Sequence, residues 1–124
     1  MKDKLNIYSR NITSQHGEDG ILDYIINSLN GKINQTCCEF GAWDGIFASN
    51  CYNLWKNQEW SAVLIESDID KYADLINNTD DFDNVNSLCC LVKCRENDSL
   101  DEIFNKNNYS RELGVLSIDI DSFD

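Results

Sequence analysis

The stretch that decides the fold is TCCEFGAWDGIFASNCYNLWKNQEWSAVLIE, residues 36–66. It begins and ends in short apolar runs, Thr36 to Phe40 and Ser61 to Ile65. Runs of roughly four to eight apolar residues bounded by turn residues read as buried strands. The first run stops at Gly41-Ala42-Trp43-Asp44-Gly45 and the second at Glu66. Between them, Ser49 to Gln58 predicts a helix, so the whole is a strand–helix–strand unit.

The same alternation extends outward. Ile21, Leu22, Ile25, Ile26 and Leu29 fall on one face of a helix from about Glu18 to Leu29. Glu18 and Asp19 occupy its first turn, where the helix dipole favours negative charge. Asn30-Gly31 supplies the stop. Downstream, Asp68 can cap a helix carrying Tyr72, Leu75 and Ile76. Ser87 to Val92 predicts a third strand. Ser99 and Glu102 form a capping box before Ile103 and Phe104, and Gly114 to Ile120 predicts a fourth strand. A leading helix followed by β-α-β-α-β-α-β predicts an α/β fold, a three-layer Rossmann-like parallel sheet. Ligands of such sheets bind beyond the carboxyl ends of the strands, near the switch point.

The chain totals narrow the class. Its 124 residues fit one domain, and 42% hydrophobic residues suffice for a packed core. No apolar run reaches the roughly 18 residues of a membrane span, and residues 1–15 lack the apolar stretch of a signal peptide, so a cytoplasmic protein (or its viral or organellar equivalent) is expected. A net charge of −12 with no Lys/Arg cluster argues against nucleic acid as a partner. A small-molecule substrate fits better, and a cationic one is favoured. The cysteines at 37, 38, 51, 89, 90 and 94 include two adjacent pairs inside apolar runs. Neighbours on a strand point to opposite faces, so these pairs are poorly placed for one metal. Neither disulfides nor a metal site are expected; the cysteines read as small buried thiols.

The candidate site follows from the strand ends. Gly41 permits a tight turn and close ligand approach, and Gly45 lets the chain turn back against the sheet. Roughly twenty residues on, Glu66 can accept the hydroxyls of a ribose, which suggests an adenosine-type ligand. A dinucleotide site wants Gly-x-Gly-x-x-Gly, whereas Trp43 and Asp44 occupy this loop. Asp44 would repel a pyrophosphate and suit a sulfonium or amine, so S-adenosylmethionine is favoured over NAD. A plain ligand-free turn is the alternative. On the fourth strand Leu116, Ile118 and Ile120 face one side, and Ser117, Asp119 and Asp121 the other. Asp119 and Asp121 are catalytic candidates: they could hold a substrate, act as base, or bind a divalent cation with Asp124, unless they form a solvated acidic loop. His16, the lone histidine, reads as a surface or capping residue, and Trp55 and Trp60 as core.

Taken in order, Ser14-Gln15-His16-Gly17-Glu18-Asp19-Gly20-Ile21, Glu39-Phe40-Gly41-Ala42-Trp43-Asp44-Gly45, Ser49-Asn50, Leu64-Ile65-Glu66 and Leu116-Ser117-Ile118-Asp119-Ile120-Asp121 resemble the FkbM-like branch of the class I methyltransferases. The resemblance runs from about Tyr8 to Asp124. It implies a seven-stranded sheet, S-adenosylmethionine held by Glu39, Gly41, Ala42, Trp43, Asp44, Gly45 and Asn50 with Glu66 on the ribose, and methyl transfer to an oxygen of a sugar or other small molecule. It also implies that Gln15, Glu18 and Asp19 cover the active site. Ser122 stands where similar proteins usually carry Gly.

Against that family pattern the sequence reads as one incomplete domain, a leading helical segment over 1–34 and a cofactor-binding half over 35–124. The fourth strand would then be an unpaired edge, open to a second copy or a completing polypeptide. Two other functions compete: a catalytically inactive remnant acting as a binding module, and an NAD-type half-domain.

Overall fold

The computed structural model describes residues 5–93 and 98–119. Its elements are α1 (Glu18–Ser28), β1 (Thr36–Phe40), a π-helical turn (Asn53–Asn57), β2 (Ser61–Glu66), α2 (Ile69–Thr79), β3 (Val85–Cys89), α3 (Leu100–Lys106) and β4 (Val115–Ile118). The four strands form one parallel sheet in the order β3-β2-β1-β4. The chain builds outward from β1 to β3, then crosses to the other side of β1 with β4. That reversal makes the β1–β4 boundary the switch point of an α/β, Rossmann-like sheet.

Alternation along β1 sorts the core into two faces. Cys37 joins Leu54, Trp55, Trp60, Leu64 and Leu75 on one face, against which Ile26 of α1 packs. Cys38 and Phe40 join Val63, Ile65, Ile103 and Phe104 on the other. The π-turn and α2 thus cover the first face, and α3 covers the second, as the reversal to β4 demands. Central parallel strands are buried on both sides, which is why β1 and β2 read as unbroken apolar runs.

Local chemistry sets the element ends. Asp68 accepts hydrogen bonds from the backbone N–H groups of Asp70 and Lys71 at 2.9 and 3.1 Å, capping α2. Ser99 accepts from the Glu102 N–H at 3.3 Å and caps α3. After α1, Asn30 (φ 51°) and Gly31 (φ 79°) turn the chain in the left-handed region. Gly45 (φ 81°) does the same after β1, and there a Cβ would come within 2.8 Å of Leu75 Cδ1.

Two elements differ from expectation. The segment after the glycine loop is no regular helix: Ser49 to Cys51 stays irregular and only Asn53–Asn57 winds, as a π-turn. Leu54 and Trp55 of this segment are buried all the same, and Trp55 belongs to the core as expected. The third strand spans Val85–Cys89 and not 87–92. Its pairing with β2 begins at Ala62↔Val85 and ends at Glu66↔Cys89; the Cys90 N–H makes a last hydrogen bond to the Glu66 carbonyl, and the strand stops where β2 does. β4 ends at Ile118, within the expected segment, and Ile120 lies outside the described residues. Among the described residues no helix is long and apolar enough to cross a membrane.

Cys37, Cys38, Cys51, Cys89 and Cys90 are free thiols. Burial pushes the Cys38 thiol up to about 12, and a hydrogen bond with Cys37 together with burial pushes Cys51 well up. Cys89 is exposed. Brief iodoacetamide treatment of the native protein at neutral pH should therefore modify Cys89 and spare Cys37, Cys38 and Cys51 until denaturant is added. Peptide mass mapping showing early labelling at Cys38 or Cys51 would contradict this packing.

Candidate functional site

Beyond the carboxyl ends of all four strands lies a cavity of about 410 Å³. Phe40, Gly41 and Trp43 line it from β1, Ile65 to Asp68 from β2, Cys90 to Val92 from beyond β3, and Asp119 from beyond β4, with Lys71 reaching in from α2. Its size falls in the range of about 300–1,000 Å³ usual for small-molecule sites.

Glu66 is the polar centre of the cavity wall. Although only 6% exposed, its carboxylate is held at both oxygens: Oε1 accepts from the Trp43 N–H at 2.8 Å and Oε2 from the Asp68 N–H at 2.9 Å. One side chain thus ties the glycine loop to the start of α2. A carboxylate oxygen has two acceptor directions, so each keeps one for a ligand hydroxyl. Trp43 stands beside it with φ 54°, in the left-handed region that few non-glycine residues adopt. Its ring is 44% exposed, meets Phe47 edge-on at 5.6 Å between centroids, and lies 4.8 Å from the Lys71 ammonium.

Glu39 lies on the opposite face of β1 and is 1% exposed. Its Oε2 accepts from the Ser49 hydroxyl at 2.6 Å, and its Oε1 from the Asn50 N–H and the Ser117 hydroxyl, both at 3.1 Å. Asn50 also donates from Nδ2 to Ser117 Oγ at 3.3 Å. Burial raises the Glu39 carboxyl above its ordinary range, and these hydrogen bonds pull the other way.

The segment before α1 folds onto this cluster. Asp19 Oδ2 accepts from the N–H groups of Ile12, Thr13 and Ser14 at 2.7, 2.9 and 2.9 Å, and from the Ser14 hydroxyl at 2.8 Å. Thr13 Oγ1 in turn donates to the Ser49 carbonyl at 2.8 Å. Glu18 is half-buried beside Asp19, whereas Gln15 and His16 are exposed.

The expected site residues therefore divide. Gly41, Trp43, Glu66 and Asp119 line the cavity. Glu39 and Asn50 form a hydrogen-bonded cluster behind the glycine loop, adjoined by Asp19 through Thr13. Ala42 and Gly45 are buried parts of the loop, and Ala42 N–H donates to the Ile65 carbonyl. Asp44 does not line the cavity: its Oδ1 accepts from the Ile46 and Phe47 N–H groups at 2.9 and 2.8 Å, so it holds the turn. Asp121, Ser122 and Asp124 lie outside the described residues. Lys71, Asp68 and Cys90 to Val92 were not anticipated in the cavity. Lys71 could have been found, since it sits three residues after the capping Asp68 and so in the first turn facing the strand ends. Among the described residues no group of three His, Cys, Asp or Glu could hold a metal ion.

Comparison with protein-family models, with curated proteins and with solved structures finds no match to this chain.

Glu39 gives the site a pH signature. A carboxyl whose titration is raised by folding contributes stability fully below the ordinary carboxylate range, near pH 4.3, and loses it as pH rises through the raised range. Glu39→Gln cannot ionise. The urea midpoint of the variant should therefore gain on that of the wild type as pH is raised from the ordinary range upward. A difference that stays constant with pH would show that Glu39 ionises at no cost.

Proposed function

We propose that the chain binds S-adenosylmethionine and forms the cofactor-binding part of a methyltransferase acting on an oxygen of a small molecule or sugar. The observation that carries the reading is Glu66, fixed by two backbone N–H groups in the wall of a cavity at the strand ends. The cavity suits a nucleoside. Phe40, Ile65, Leu91 and Val92 offer apolar walls to a flat base, and Glu66 offers acceptors to ribose hydroxyls. The lining carries carboxylates at Glu66, Asp68 and Asp119 against one ammonium at Lys71, a balance that suits a cationic nucleoside and opposes a pyrophosphate. Asp44, engaged in its own turn, adds less to that balance than its place in the loop suggested. The FkbM-like pattern of the sequence points the same way.

S-adenosylmethionine supplies an electrophilic methyl group on a sulfonium. The chain's own residues bind and orient. Glu66 holds the ribose end, the glycine loop lets the nucleoside approach the backbone, and Trp43 walls one side. Asp119, exposed and lining the cavity just past β4, would take the proton of an attacking hydroxyl. Asp121 shares that assignment from the sequence alone.

Isothermal titration should show saturable binding of S-adenosylmethionine and S-adenosylhomocysteine and none of NAD. Glu66→Gln should weaken both about tenfold, the worth of one hydrogen bond to a charged group. Asp119→Asn should leave that affinity intact and, wherever turnover is measurable, abolish it. NAD binding in preference to S-adenosylhomocysteine would sink the assignment.

A second reading is favoured by one observation, that of an interaction module. Among the described residues β4 pairs with β1 alone, and Leu116 and Ile118, on the sheet face that carries α3, are 46% and 51% exposed. Under this reading a second copy or another polypeptide completes the sheet at β4. Multi-angle scattering should then give a mass above 14.2 kDa, and Ile118→Lys should return it to that value. A wild-type monomer at all concentrations removes this reading.

A further inference from the structure

Asn or Asp precedes Gly at three places in the chain: Asp19-Gly20, Asn30-Gly31 and Asp44-Gly45. A glycine has no Cβ to crowd its amide nitrogen, so that nitrogen can reach the side-chain carbonyl carbon of the preceding residue and close a five-membered imide. The reaction asks for a side chain free to turn, an N–H that is not engaged, and room for the chain to swing. The fold withholds these at two of the pairs. Asp19 is 1% exposed, its Oδ2 takes four donors, and the Gly20 N–H donates to the Arg10 carbonyl at 2.9 Å. Asp44 Oδ1 is held by the Ile46 and Phe47 N–H groups, and the Gly45 N–H donates to the Ala42 carbonyl at 2.9 Å. Asn30 and Gly31 are exposed just past α1. The N–H groups on either side are used, that of Asn30 by the Asn27 carbonyl at 3.2 Å and that of Lys32 by the Leu29 carbonyl at 3.0 Å. Among the described residues, the Gly31 N–H and the Asn30 side-chain amide have no hydrogen-bond partner. A Cβ added at Gly31 would meet nothing within 4 Å.

From this contrast we infer that Asn30-Gly31 is a modification site, at which the folded chain deamidates itself. The Gly31 nitrogen gives its proton to hydroxide and attacks Asn30 Cγ. The new N–Cγ bond forms as the Cγ–Nδ2 bond breaks, and the side-chain nitrogen leaves as ammonia. Water then opens the imide at one of its two carbonyl carbons. Opening at Cγ restores the ordinary backbone with aspartate at position 30, and opening at the backbone carbonyl leaves isoaspartate, with the chain running through Cγ. The sum is amide plus water to acid plus ammonia, and no electron is gained or lost. The product adds one negative charge to a chain of net charge −12, beyond a helix with no basic residue in its last turn. The negative end of the helix dipole disfavours an anion there. In its isoaspartyl form the product also adds a backbone carbon to the link between α1 and β1. The inference is independent of what the cavity binds.

The 124-residue chain, incubated at mildly alkaline pH both folded and in guanidinium chloride, tests the site. Peptide mapping with chromatographic separation of aspartyl and isoaspartyl forms reads the outcome. In the folded sample the peptide carrying residue 30 should convert to both forms at close to its rate in denaturant. The peptides carrying Asp19 and Asp44 should gain isoaspartate in denaturant alone. Gly31→Ala should slow the conversion at residue 30 about tenfold, because its Cβ crowds the attacking nitrogen. Should circular dichroism show that Gly31→Ala is unfolded, Asn30→Gln supplies the same control, since its longer side chain closes the ring poorly and should leave the position unconverted. An Asn30 amide that survives in the folded chain and is lost in denaturant overturns the inference, because the fold then protects it. Conversion of a folded Gly31→Ala at the wild-type rate overturns it as well, since the Gly31 nitrogen is then not the attacking group. Isoaspartate forming at Asp44 in the folded chain as fast as at position 30 would remove the structural contrast on which the choice of site rests.

Discussion

The arrangement at the strand ends depends on one buried carboxylate. Glu39 is the last inward-facing residue of β1 on its side of the sheet, and it has almost no contact with solvent. A carboxylate in that position is tolerable only if donors surround it. Three residues on two segments supply them: Ser49 and Asn50 from the turn after the glycine loop, and Ser117 from β4. Meeting this one electrostatic demand fixes the path of the 41–50 segment and binds β4 to β1 at the switch point. It also explains why the 49–51 stretch forgoes a regular helix. Ser49 gives its hydroxyl proton to Glu39 while its oxygen accepts from the Cys51 and Tyr52 N–H groups, so the side chain both feeds the carboxylate and caps the turn that follows.

A second carboxylate does comparable work on the other side of the loop. Glu66 joins the backbone of Trp43 to that of Asp68, so the mouth of the cavity is stitched from both directions. The glycine loop is therefore held between two acids, one behind it and one in front. That restraint is what lets Trp43 keep a left-handed backbone conformation, which a free loop would relax.

Most of the architecture was legible because burial leaves a mark on composition. The unbroken apolar runs at 36–40 and 61–65, the caps at Asp68 and Ser99, and the Asn30-Gly31 stop each report a local requirement that the sequence must meet alone. The edges of the sheet were less legible. A strand ends where its neighbour ends, and the 87–92 run gives no hint that β2 stops at Glu66. Glycines, an acid about twenty residues on and an acidic fourth strand pointed to the end of the sheet where the cavity lies. Whether a carboxylate faces a cavity or serves its own backbone is decided by tertiary contacts. Asp44 turned to Ile46 and Phe47, and Asp19 turned to the segment before it. Ser117 was read only as sharing a face with Asp119; that it is buried while Leu116 and Ile118 are exposed, and that its partner is Glu39, 78 residues away in the chain, was not legible.

Of the three indoles, Trp55 and Trp60 are each 1% exposed and belong to the core, whereas Trp43 stands 44% open at the cavity rim beneath the Lys71 ammonium. The molecule consequently carries its own optical probe. Two emitters are shielded and report the integrity of the fold; the third is accessible to a neutral quencher such as acrylamide and lines the crevice that an occupant would fill. Fluorescence quenching can therefore separate ligand entry from unfolding in a single sample, without a label and without knowing in advance what the ligand is.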